Sequence, residues 1–295
     1  RVYTKFGIVS IYQFVLNVIF LIFCILIIMP FVLVVSTSFS SEADILKYGY
    51  EFIPRTPTLA AYDYIFKNPT MIIDAYKVTI AFSALGTFIT VLFTAMLAYP
   101  LSQRALKCRN IISFYLYFTC LFSGGLVPSY LLIAKYLHLA NNFWVYIIPG
   151  CVSAFFVFMM RSFFSDIPQE IIESALIDGS NDFGIFFKFV LPLSKPVLAT
   201  VALMTFLAKW NDWNTSLLYI DNQKLVSLQY LLQRILNNIE VIKNNTRMFE
   251  TSTYEIPSES VRMAMAVVVA GPALFVFPFF QKYFVKGLTV GSVKG

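Results

Sequence analysis

Long uninterrupted runs of apolar residues, separated by short polar connections, dominate the chain. Six of them approach the roughly 20 residues that a helix needs to cross a hydrocarbon core about 30 Å thick. They cover 11–36, 76–100, 110–133, 143–164, 196–220 and 262–284. The first is the cleanest, since only Asn17 is strongly polar between Phe14 and Val35. The fifth is interrupted by Lys209-Trp210-Asn211-Asp212-Trp213-Asn214. The runs are continuous rather than alternating, so they predict helices and not barrel strands. Three connections fall on one side, at 37–75, 134–142 and 221–261, the first and last of them long. Within the last, Leu228–Lys243 reads as one amphipathic helix with Leu231, Leu232, Ile235 and Ile239 on one face. The residues after it, 244–259, read as a projecting tip.

Composition agrees with a chain dissolved in lipid. Hydrophobic residues make up 58% and charged residues 13%, with a mean hydropathy of +0.73. Soluble domains carry about 25% charged residues. The net charge of +6 is dispersed, which favours membrane flanks over a nucleic-acid partner. Arg1 and Lys5, then Arg104, Lys107 and Arg109, then Lys282, Lys286 and Lys294 fall on one side of an even six-span topology. The positive-inside rule then places both termini in the cytoplasm. The first run is too long for a signal-peptide core and is read as a retained span.

Candidate chemistry is sparse. Cys24, Cys120 and Cys151 lie in apolar runs and Cys108 in a short basic loop, which predicts inert thiols. His138 is the single histidine and cannot build a histidine cluster, so no metal is expected. No G-x-x-x-x-G-K-[ST] loop occurs, so the chain is not expected to hydrolyse ATP. Gly287, Gly291 and Gly295 lack the following helix that a phosphate cradle needs. Gly124, Gly125 and Pro128 mark a break in the third run or close helix packing there.

Two stretches are patterned. In 165–196, Asp166, Pro168 and Gln169 predict a helix start, and Gly179 a stop. Ser180 or Asn181 then caps a second short helix, and Pro192 and Pro196 return the chain to the membrane. Ile171, Ile172, Ala175 and Leu176 form an apolar face, and Ser174 and Ala175 permit close approach. Lys188 and Lys195 stand against Glu170, Glu173, Asp178 and Asp182, which favours a protein partner over anionic headgroups. The other stretch is Lys209–Trp213. Lys209, Asn211 and Asp212 are costly against lipid and predict a cavity or partner helix. Trp210 and Trp213 offer flat faces suited to sugar rings. The alternative is a structural Lys209–Asp212 pair with tryptophans as interfacial anchors.

Glu173-Ser174-Ala175, three residues, Gly179, nine residues, Phe189, one residue, Leu191-Pro192 resembles the EAA loop of binding-protein-dependent ABC transporter permeases. Ser174 and Phe189 are mild departures from its commonest form. "KWNDWN" and the ending "KGLTVGSVKG" are similar to the second, maltose-type permease subunit. The stretches 122–144 and 277–295 resemble the subgroup associated with oligo- and polysaccharides, acidic ones such as aldouronate and alginate included.

The resemblance implies an all-α membrane protein of the type I ABC importer fold, with six transmembrane helices and a cytoplasmic coupling loop. It divides the chain into 1–74 (first span and its connection), 75–285 (the permease core) and 286–295 (a cytoplasmic tail). It implies that Glu173, Ser174, Ala175, Asp178 and Gly179 couple to a cytoplasmic ATPase dimer, which holds the ATP and Mg²⁺. Lys209, Trp210, Asn211, Asp212 and Trp213 would line the pathway. Asn244, Asn245, Arg247 and Tyr254 would meet an extracytoplasmic solute-binding protein. A second homologous permease chain completes the assembly in the bacterial cytoplasmic membrane. An amino-acid or peptide permease is the nearest alternative; a secondary transporter leaves the 173–192 spacing without a reason.

Overall fold

The structure is a computed structural model and describes residues 11–67, 69–249 and 258–291. It is helical, with a single isolated β-bridge between Ser40 and Pro57 among the described residues. The helices are α1 (Ile11–Ser38), α2 (Glu42–Tyr48), α3 (Ala60–Ile65), α4 (Pro69–Ser102), α5 (Arg109–Leu121), α6 (Leu126–Leu131) and α7 (Ala154–Ser165). They continue with α8 (Gln169–Ile177), α9 (Asp182–Ile185), α10 (Leu191–Leu193), α11 (Lys195–Trp210), α12 (Asn214–Tyr219), α13 (Leu228–Phe249) and α14 (Ser258–Gly291).

Three described helices are long and apolar enough to cross a membrane unaided, in α1, α4 and α14. The apolar run at 110–133 is two helices that meet at 114°. Gly125 sits at the bend with φ +87°, a conformation that glycine adopts without steric cost. The run at 143–164 is not one continuous helix. It holds one 3₁₀ turn, Phe143–Tyr146, and then α7, whose 12 residues fall short of a bilayer. Pro149-Gly150 and Ser153 break it. The fifth run stops at Trp210, where Asn211 closes α11, so "KWNDWN" ends this helix rather than interrupting it. The chain enters α11 through a bend of 80° after α10. α14 begins earlier and ends later than the predicted 262–284, and contains Pro272 and Pro278. α13 runs to Phe249 rather than Lys243.

The chain forms two compact units, Arg1–Lys67 with Leu236–Ala270, and Asn68–Ile235 with Gly271–Gly295. In the first, the 37–75 connection folds into α2 and α3. Ser41 caps α2 by accepting from the Asp44 amide at 3.2 Å. Ser36 Oγ donates to the Glu51 carbonyl at 2.9 Å, and the Ser38 and Tyr62 hydroxyls meet at 2.9 Å. The buried Glu42 carboxylate caps the start of α14. It accepts from the amides of Glu259 and Ser260 and from the hydroxyls of Ser258 and Ser260, at 2.9–3.1 Å. Negative charge at a helix N-terminus is favoured by both the free amides and the dipole.

In the second unit, α4 is the central post. Its inward side is Thr79, Ser83, Gly86, Thr87, Thr90, Thr94, Ala95 and Ala98, all buried. Small residues let helices approach closely where lipid supplies no hydrophobic drive. Tyr99 and Leu101 of α4, Val157, Met160 and Phe164 of α7, and Val197 and Val201 of α11 form one core with Ile172, Ala175, Ile185 and Phe186 of the 165–196 loop.

Candidate functional site

The first candidate is the α8–α9 loop. α8 starts after Pro168, which makes no side-chain cap. Asp166, expected to cap it, instead closes α7. The other end follows the sequence prediction. Ser180 N–H donates to Ala175 O and Gly179 N–H to Leu176 O, both at 3.0 Å, with Gly179 at φ +79°. This is the paired bonding of a Schellman stop. Asn181 Oδ1 then accepts from the Gly184 amide at 2.8 Å and starts α9.

Burial divides α8 in two. Ile172 and Ala175 point into the core, and Phe186 packs on Tyr99 with ring centroids 5.4 Å apart. Glu173, Ser174, Asp178 and Gly179 are exposed. Ala175, grouped with them from sequence, is a packing residue. Leu176, read as part of one apolar face with Ile171, Ile172 and Ala175, is 50% exposed, and its neighbour Ile177 is 86% exposed. Phe183 of α9 is exposed as well. The outward surface is therefore acidic and apolar together.

The second candidate is a polar corner where α11 ends. The Lys209 stem crosses α4 at Gly86, and a Cβ there would stand 2.6 Å from Lys209 Cε. Its Nζ donates to the Tyr146 carbonyl at 2.9 Å. The Tyr146 ring stacks on Phe82 at 4.3 Å, and its hydroxyl meets Ser216 Oγ at 2.6 Å and donates to Leu225 O at 2.8 Å. Ser216 donates to Ser227, which donates to the Asp212 carbonyl. Thr79 of α4 accepts from the Leu228 amide at 2.9 Å. Beside Gly86, the hydroxyls of Ser83 and Thr87 are buried without a hydrogen-bond partner.

The five residues read together from sequence separate here. Lys209 does not pair with Asp212; Asp212 accepts from the Thr215 amide at 3.0 Å and shapes the turn into α12. Trp210 is buried and stacks on Phe206. Asn211 accepts from Gln229 and donates to Leu207 O. Trp213 is exposed. An open apolar groove of about 440 Å³ is lined by Ile89, Phe93, Trp144, Ile147, Ile148 and Cys151 of the same unit.

No protein-family model matches the chain. Protein LplC of Bacillus subtilis (strain 168) is 38% identical over 270 residues, 91% of this chain and 90% of LplC. The polygalacturonan/rhamnogalacturonan transport system permease protein YtcP of the same organism is 37% identical over 278 residues, 93% and 95% of the two chains. The chain belongs to the carbohydrate ABC transporter permeases. The permease is also similar to a solved chain of a bacterial ABC transporter involved in the import of the acidic polysaccharide alginate. The TM-score is 0.79 at 28% identity, covering 95% of the permease and 100% of that chain.

Asn244, Asn245 and Arg247 of the permease fall in the final turns of α13, where the backbone alone is described; Tyr254 lies outside the described residues. Tyr146, Ser216, Ser227, Thr79 and Gly86 carry the polar corner and were not legible from sequence. Each sits in or beside an apolar run, and nothing in the spacing joins residues up to 149 positions apart.

Proposed function

We propose that this permease imports an oligosaccharide bearing carboxylates, and that α8 transmits the work of a separate ATPase. Six membrane crossings are taken with both termini cytoplasmic, counting each bent pair and the α7 region as one crossing. The observation that carries the coupling reading is the division of α8. One side is locked in the core by Ile172 and Ala175, and the other presents Glu173, Ser174 and Asp178 beside bare Leu176 and Ile177. A short helix stopped sharply at Gly179 and anchored behind is a lever that moves as one piece with α4, α7 and α11.

The cycle that follows is alternating access. A solute-binding protein delivers the saccharide, and ATP closure of the partner dimer drives α8. A second permease chain supplies the other half of the pathway. For the substrate, support comes from the relatives' acidic polysaccharides and from Lys209, a cation held in a span beside the free hydroxyls of Ser83 and Thr87. The C-terminal residues from Lys286 and the tip around Asn244, Asn245, Arg247 and Tyr254 are assigned to the ATPase and the binding protein respectively.

Two measurements test this. Glu173→Lys reverses a charge on the exposed side of α8, so it should leave membrane insertion intact and abolish co-purification with the ATPase. Survival of both co-purification and substrate-stimulated ATP hydrolysis would refute the docking role. Lys209→Ala should reduce uptake of an acidic oligosaccharide about tenfold more than that of a neutral one, the order expected for one charge-assisted contact. Equal loss for both would leave Lys209 a structural prop.

A further inference from the structure

α7 reads Ala-Phe-Phe-Val-Phe-Met-Met-Arg-Ser-Phe-Phe-Ser, and Arg161 is its one charged residue. Its Nη1 donates to Ser113 Oγ of α5 at 2.9 Å, and Ser113 in turn donates to the Arg109 carbonyl at 2.6 Å. Arg109 and Ser113 are four apart, so they share one side of α5. Ile112 and Leu116 of that same side pack against the core. Arg161 thus reaches the side of α5 that also carries Arg109, at a crevice between the ends of α5 and α7, with Arg104 and Lys107 on the adjoining turn.

These four cations have no acidic counterpart. Among the described residues none of them makes an ion pair, and no Asp or Glu occurs between 75 and 165. A guanidinium has five N–H donors in a planar fork, and Arg161 spends one of them on protein. A cation left so open at a membrane depth is costly. The rest of α5 says what surrounds it. α5 has no buried residue, and Ile111, Phe114, Tyr115 and Phe118 are exposed on the side away from α7. An apolar, aromatic helix face that ends in a cluster of cations matches acyl chains below a layer of headgroups.

We propose that the α5–α7 crevice is a binding site for the phosphodiester of an anionic phospholipid, held by Arg161 and Arg109, with Ser113 fixing the Arg161 guanidinium in place. The guanidinium fork matches two phosphate oxygens, which a zwitterionic headgroup offers with less net charge. The bound lipid bridges α5 to α7 beside the Arg161–Ser113 hydrogen bond.

The test uses the complete transporter, reconstituted in bilayers of phosphatidylcholine with or without phosphatidylglycerol, re-extracted and weighed intact by native mass spectrometry. The wild-type complex should retain phosphatidylglycerol, and Arg161→Gln should lower that retention about tenfold. Arg161→Lys, which keeps the charge but not the fork, should fall between. Arg109→Gln, which removes no protein hydrogen bond of its own side chain, should lower retention too and guards against failed assembly of the first variant. Equal retention by wild type and both glutamine variants would overturn the proposal, as would equal retention of phosphatidylcholine. Displacement of the lipid by soluble glycerol phosphate would make this a free-anion site and overturn the lipid assignment. A retained complex without lipid that still loses stability in Arg161→Gln would point to an acidic side chain of a second chain, and would overturn it equally.

Discussion

Gly86 and Lys209 illustrate how one missing Cβ fixes the position of a charge. The lysine stem occupies the space where a methyl would be, and the terminal amine reaches the Tyr146 carbonyl. Gly86→Ala should push the flexible stem aside rather than part the helices. The expected result is a small change in thermal stability with the same loss of preference for acidic sugar as Lys209→Ala, although the charge is still present. Uptake assays on the two variants side by side decide it. Glu42 gives a second case. Glu42→Gln keeps the shape but replaces an ionic acceptor, and should cost about 2 kcal/mol, read as a lower melting temperature of the purified assembly. The chemistry of such positions was half visible in sequence. Lys209 stood out because a cation in an apolar run demands a partner. Its partner did not, because a backbone carbonyl 63 residues away has no residue type to betray it.

At the scale of elements, local rules read well and tertiary ones did not. Gly179 was legible as a stop because left-handed backbone is a property of a single residue. No atom lies within 4 Å of a Cβ built there, so Gly179→Ala carries only the backbone penalty, about 1 kcal/mol. That should loosen α8 without blocking it. ATP hydrolysis should persist while less sugar moves per ATP, in contrast to Glu173→Lys, and simultaneous measurement of both rates separates them. The bend at Gly125 was flagged by its glycines. The short α7 was not anticipated, because hydropathy counts apolar residues and does not ask whether Pro149-Gly150 lets them be helical. Asp166 misled because two helix ends compete for it, and the end of α7 takes it. The α2 connection carries a pH dependence of its own. Hydrogen bonds from Thr56 and Ser41 hold the Asp44 carboxyl below its usual value, and the Arg55 fork does the same for Glu51. Folded values that are lowered mean stabilisation present above the ordinary carboxylate range and lost as pH falls through the lowered values. Amide protection factors across 41–57, corrected for the intrinsic exchange rate at each pH, should therefore fall in acid, and less so in a Thr56→Ala variant that starts without the bond.

For the whole molecule, the family was carried by one spaced motif with a few further stretches, and the helical class by composition and long apolar runs. The arrangement of each unit was not, since it depends on contacts that no window of sequence contains. The Glu42 cap is the longest of these, joining groups 216–218 residues apart. At a synthesis rate of roughly 5–20 residues per second, Glu42 emerges about 10–40 s before the amides that will complete it. Throughout that interval the ribosome is still making the chain, and the carboxylate has only water for company. A chain released early, or one whose last span fails to insert, never closes that contact. The α2 segment of such a chain then stays a marker of unfinished synthesis, expected to be cut by a protease that spares the completed chain.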